Sequence, residues 1–152
     1  MNQLDLIANY LQQPDAQPVQ ILVRGNSMRP YLVHERDYVV VTCASQLLQS
    51  GDVVLALLSS GKYVMHRVEK VAADGVLILR GDGNLTTEQC PISAVCGVAI
   101  GFYRKGSKQL TPVSAISYRL YRWCWMHTLP LRRYCLALHH LCFGSCKDLS
   151  LS

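Results

Sequence analysis

The chain has 152 residues, half of them hydrophobic and 16% charged, with 15 Lys and Arg against 10 Asp and Glu. That length suffices to bury one full core, and the apolar content argues against disorder. The polar start Met1-Asn2-Gln3-Leu4-Asp5 lacks the cationic-then-apolar pattern of a secretory leader. No apolar run approaches the ~18 residues that suggest a membrane span, so the sequence reads as a soluble or membrane-surface protein, expected in the cytoplasm.

Seven cysteines at irregular spacing do not form a disulfide framework and are expected as reduced, mostly packing thiols. The positive charge is concentrated at one end. From Pro112 onward Arg119, Arg122, Arg132, Arg133 and Lys147 face only Asp148, and both tryptophans, Trp123 and Trp125, lie there as well.

In chain order, Leu4, Ile7, Ala8 and Leu11 stand at helical spacing, and Pro14 ends that helix. Val19–Arg24 reads as a strand leading into Gly25-Asn26-Ser27-Met28-Arg29-Pro30, where Pro30 favours a short turn of helix through Tyr31 and Leu32. Valine- and isoleucine-rich runs follow at Asp37–Val41, Asp52–Leu58, Tyr63–Val71, Val76–Arg80 and Val95–Tyr103. Glycine-containing turns separate several of them, and short strands at this spacing indicate a mainly β, barrel-like or sandwich-like core. Ser114–Thr128 and Leu131–Phe143 read as helices, the second ending near Gly144. The expected organisation is a domain over residues 1–111 and a basic, aromatic helical extension over residues 112–152.

Alternation along Tyr63–Val71 places Val64, His66 and Val68 on one face, and Met65, Arg67 and Glu69 on the other. His66 therefore faces the apolar side. It is either a core histidine bonded to a neighbour or a neutral imidazole whose pKa burial pulls down, able to act as a base. Ser27, between a glycine and a proline, fits an ordinary turn or a nucleophile.

Three boxes occur in order: Gly25-Asn26-Ser27-Met28-Arg29-Pro30, Met65-His66-Arg67-Val68, and Gly81-Asp82-Gly83-Asn84. Gly51-Asp52-Val53-Val54 lies between the first two, and Val95-Cys96-Gly97-Val98-Ala99 follows the last. From about Val19 to Arg104 this series resembles the superfamily of type I signal peptidases and LexA-like self-cleaving proteases. With histidine rather than lysine before the arginine, it is similar to the endoplasmic-reticulum and archaeal type.

The resemblance implies a serine endopeptidase with Ser27 as nucleophile and His66 as general base, on a signal-peptidase/LexA-like β-barrel-like core with a short N-terminal helix and a C-terminal helical pair. It implies no cofactor and no metal. The Ser27 N–H is the implied oxyanion donor, with Asn26 as a second. Asp82 and Glu88 both stand as orienting acids for His66, and Asp82 alternatively holds Arg67 in a structural ion pair. Met28 is expected to pack beneath the nucleophile.

The expected partner is a peptide or protein precursor, of leader or signal-like kind. Cys96-Gly97 resembles a LexA-type scissile pair but lies downstream of the boxes and reads as core strand. The alternative function is a catalytically idle peptide- or partner-binding module. Nucleic acid is the weakest alternative, motivated only by the basic aromatic tail. Three roles stay open for residues 112–152: docking on the core, lying at a membrane surface, or binding a partner. Cys135, His139, Cys142 and Cys146 at spacings of four, three and four suggest either a packing stripe or, less well, zinc ligands.

Overall fold

The valine-rich runs pair into one antiparallel sheet curled as a half-barrel. In the computed structural model, residues 2–44 and 47–143 are described. Gly144, Cys146, Lys147 and Asp148 of the expectations above lie outside them.

Helix α1 spans Gln3–Leu11, and the strands are β1 (Val19–Leu22), β2 (Tyr38–Thr42), β3 (Val53–Leu57), β4 (Tyr63–Val71), β5 (Val76–Arg80), β6 (Glu88–Pro91), β7 (Val95–Tyr103) and β8 (Thr111–Pro112). Helices α2 (Ile116–His127) and α3 (Arg132–Phe143) follow. The strand order is β1-β2-β7-β3-β4-β5-β6. Residues 98–103 of β7 pair with β2; on the other edge residues 95–98 take β3, and Gly101 and Phe102 take β8.

Period-two alternation, broken in β7 by a bulge at Ile100 that puts Ala99 and Phe102 on one side, sorts most strand residues onto two buried layers. Val39, Val41, Val53, Ala99 and Phe102 join Leu11 of α1, Met28, Tyr31 and Leu32 in one cluster. Val54, Ala56, Val64, Val68, Leu77, Leu79 and Val98 form the other. Val53 and Val54, and likewise Val98 and Ala99, thus serve opposite layers as direct neighbours. Each buried valine, leucine or phenylalanine among them contributes about 1.5–3 kcal/mol. Cys96 is buried in β7, and a Cβ on Gly97 would come within 2.5 Å of Val41, so this dipeptide is a packed strand segment.

The sheet differs from expectation at two points. β4 is covered on both sides: Arg67, expected on the polar face, is as buried as His66. β6 and β8 lie in stretches that carry no alternating apolar signal, and each contains a proline, which suits short or edge strands. Residues 28–32, which include the cis Arg29-Pro30 bond, form a single turn closed by Leu32 N–H donating to Met28 O at 3.0 Å, the spacing of one helical turn, and no helix continues from it.

Helix α2 docks on the core. Tyr118 is buried in the first cluster, with its ring centroid 5.2 Å from Tyr31 and 4.8 Å from Phe102. Tyr121 stacks on the buried Trp125 at 5.7 Å. Among the described residues no helix is long and apolar enough to cross a membrane.

Candidate active site

Ser27 sits in the turn that β1 delivers. Val23, buried just after β1, donates its N–H to Asp37 O and accepts from Glu35 N–H, which folds the chain back across the turn. Asp37 is fully buried and fastens the far side of the same loop. It accepts from Val33 N–H (2.9 Å), Lys105 N–H (2.9 Å) and the Arg36 guanidinium (2.8 and 2.9 Å). Burial pushes its pKa upward, but these donors outweigh it, and the carboxyl ends below its ordinary value. At the near end His34 Nδ1 accepts from Gly25 N–H at 2.9 Å, and Gly25 takes a positive φ of 90°.

The turn after β5 closes on this loop through its backbone. Gly83 N–H donates to Ser27 O at 2.8 Å. A Cβ on Gly81 would stand 2.3 Å from that same oxygen, and one on Gly83 would stand 2.7 Å from Asn26 O. Both glycines are therefore required by close approach. Ser27 N–H and Oγ make no hydrogen bond among the described residues, and Asn26 Oδ1 is buried without a partner. Met28 points into the core and is nearly fully buried.

The two candidate acids have different partners. Asp82, between those two glycines, clamps Arg67 with two 2.7 Å hydrogen bonds to Nε and Nη2. It also accepts from Tyr121 Oη at 2.9 Å. Arg67 Nη1 donates to Gly51 O (2.8 Å) and Tyr118 Oη (2.9 Å), so the buried guanidinium is paired on all sides. Burial alone would lower the Arg67 pKa, but Asp82 raises it above its ordinary value, and the guanidinium is held charged.

Glu88, on β6, approaches the other residue. Its Oε2 lies 2.7 Å from His66 Nδ1, short in distance though not aligned as a hydrogen bond, and neither atom has another partner among the described residues. Strand register explains the meeting: Val68 pairs with Leu79, and Leu79 with Glu88, which puts Glu88 on the face that His66 shares with Val64 and Val68. Burial lowers the His66 pKa below its ordinary value, with Glu88 opposing. The ring is thus held neutral near pH 7, with Nε2 unbonded by protein among the described residues.

No family model, curated protein or solved structure matches the chain.

The structure brings His66 to Glu88, Arg67 to Asp82, and Ser27 to Gly83. It does not join Ser27 Oγ to His66 by a hydrogen bond. Tyr118, Tyr121, Asp37 and His34 were not singled out from sequence. Tyrosines in a basic aromatic helix and an acid beside an arginine at a strand start carry no signal that separates them from surface residues. Among the described residues no group of three or more His, Cys, Asp or Glu side chains is placed to hold a metal ion, and Cys146 lies outside them.

Proposed function

We propose that the protein is a serine endopeptidase on the half-barrel of the signal-peptidase/LexA-like superfamily, acting on a precursor or leader-like peptide. One observation carries the reading. The four-residue loop Gly81–Asn84 touches the Ser27 turn through Gly81 and Gly83, and holds the neighbour of His66 through Asp82. One loop thus contacts both the serine turn and the residue next to His66 on β4, which supports reading the two as one catalytic unit.

The chemistry follows from the free positions. His66 Nε2 takes the Ser27 Oγ proton as Oγ bonds to the peptide carbonyl carbon, and the carbonyl electron pair moves to oxygen. The unengaged Ser27 N–H receives that oxyanion, and the Asn26 side-chain amide is the candidate second donor. Collapse breaks the C–N bond, and the leaving amine takes the proton from His66. Water then hydrolyses the acyl-serine with His66 again as base. Glu88 is the positioning residue, its carboxylate oxygen 2.7 Å from Nδ1 and placed to stabilise the protonated ring. The substrate segment binds extended, in the strand-addition mode.

The test is cleavage of a peptide library read by mass spectrometry, with labelling of Ser27 by a fluorophosphonate, for wild type, Ser27→Ala and His66→Ala. Cleavage and labelling are expected in wild type alone. Cleavage that survives either substitution overturns the dyad. A wild type that binds peptides but neither cleaves nor labels is a catalytically idle module of the same fold.

A further inference from the structure

Helix α2 is apolar on two opposite faces. Tyr118, Tyr121 and Trp125 face the core, whereas Ile116, Leu120 and Trp123, spaced four and three apart, are 82%, 61% and 60% exposed. Helix α3 repeats the pattern. Arg132 and Leu136 are buried, while Tyr134, Leu138 and Leu141, at the same spacing, are 58%, 62% and 84% exposed. An ordinary surface helix turns charged and polar residues outward. Bare apolar rows on two successive helices mark a contact surface.

Charge specifies the contact. From Gln89 to Phe143 the sequence contains no Asp or Glu, and Arg119 and Arg133 stand exposed on the helices that carry these rows. Beside α2 a groove of about 740 Å³ brings Arg119, Arg122 and His127 next to Trp123 and the Ser50–Gly51 turn, with Arg122 also 3.9 Å from Asp52. Cationic donors at the edge of an apolar, tryptophan-bearing row suit the boundary between phosphate headgroups and acyl chains. A second copy of this chain would set one acid-free basic face against another, which like charges oppose. A nucleic acid would satisfy the arginines but leave Leu120, Leu138 and Leu141 in water.

We propose that the outward faces of α2 and α3 lie on an anionic lipid bilayer, with Ile116, Leu120, Trp123, Leu138 and Leu141 in the headgroup–acyl boundary and Arg119 and Arg133 against lipid phosphates. The proposal is independent of the peptidase reading, since it uses none of Ser27, His66 or Glu88.

The experiment is co-sedimentation of the full chain with phosphatidylcholine vesicles, with and without phosphatidylglycerol. The variants are Leu120→Gln/Trp123→Gln/Leu138→Gln and Arg119→Ala/Arg133→Ala, each checked for an unchanged thermal melt. Light scattering reads the oligomeric state. Wild type is expected to sediment with the anionic vesicles only, the apolar variant to stay in solution, and the arginine variant to bind on the order of tenfold more weakly. Equal recovery of wild type and apolar variant overturns the proposal, as does equal binding to both vesicle types. A dimer that the apolar variant dissociates, with no vesicle binding, overturns it and assigns the faces to a second copy. If the apolar variant melts early, single Leu120→Gln and Leu138→Gln variants replace it under the same criteria.

Discussion

Tyr121, on helix α2, donates a 2.9 Å hydrogen bond to Asp82, the carboxylate that clamps Arg67 beside His66. The C-terminal segment therefore completes a buried ion pair formed by the sheet. Without Tyr118 and Tyr121, Arg67 Nη1 and Asp82 Oδ2 would each lose a partner in a site from which water is excluded.

The cost of breaking this network separates its members. Tyr121→Phe keeps the ring on Trp125 and removes one hydrogen bond to a charged acceptor, an expected loss of about 1.5–3 kcal/mol. Asp82→Asn leaves the Arg67 charge buried without its counter-ion, an expected loss of about 3–5 kcal/mol. The two are in contact, so the double variant is expected to lose less than the sum. Urea unfolding of the four proteins measures this. Full additivity would show that Tyr121 and Asp82 act independently.

Where apolar periodicity was strong, the sequence announced the element. Val53–Leu57, Tyr63–Val71 and Val95–Tyr103 form strands within the expected runs. Glu88 was named as a candidate, but the strand that carries it was not, because Glu-Gln-Cys-Pro has neither alternation nor β-branched residues. Its meeting with His66 depends on register across two strand pairs, which no local pattern encodes. Arg67 was assigned by alternation to a polar face. Its burial comes from α2 covering that face, a tertiary contact made 51 residues along the chain by Tyr118. Gly81 and Gly83 stood out as a motif, but the reason for them is the Ser27 and Asn26 carbonyls packed against them.

That contact gives a second prediction. Gly81→Ala forces a Cβ to within 2.3 Å of a backbone oxygen, and backbone cannot move aside cheaply. The strain is expected to cost about 1–3 kcal/mol and to shift the Ser27 turn. Gly75→Ala is the control: its φ of 80° is unfavourable, costing about 1–2 kcal/mol, but its Cβ would meet open space. Matched melts with fluorophosphonate labelling are expected to show a labelling loss for Gly81→Ala alone. Equal labelling in both variants would disconnect Gly81 from the serine.

Asp37 makes stability acid-sensitive. Its pKa is lowered in the folded chain relative to an ordinary carboxyl. The unfolded chain therefore binds the proton more tightly, and the stability Asp37 contributes is complete above the ordinary value of 3.8 and lost as pH falls through the lowered one. Asp37→Asn is expected to be less stable than wild type near pH 7, with the gap narrowing toward about pH 2. Urea midpoints across that range check it; a gap that widens on acidification would contradict the sign.

His66 sets the last expectation, through the pH dependence of the serine. Because burial lowers its pKa, the imidazole remains neutral below the ordinary value of 6.5. Ser27 labelling is therefore expected to persist below that pH, and to fall only as the lowered pKa is passed. Glu88 opposes the lowering by stabilising the protonated ring. Glu88→Gln removes the negative charge, so the acid limb is expected to move to still lower pH, while the maximal rate drops because the ring that takes up the serine proton loses its counter-charge. A merely structural Glu88 would lower the rate without moving the limb. Stability shares the sign: below pH 6.5 the unfolded histidine takes a proton that the native one resists, so acidification destabilises the fold, and His66→Gln is expected to remove that part of the loss. Labelling rates and urea midpoints measured on the same pH series test both halves. A limb that rises in Glu88→Gln would mean that Glu88 does not stabilise the protonated ring.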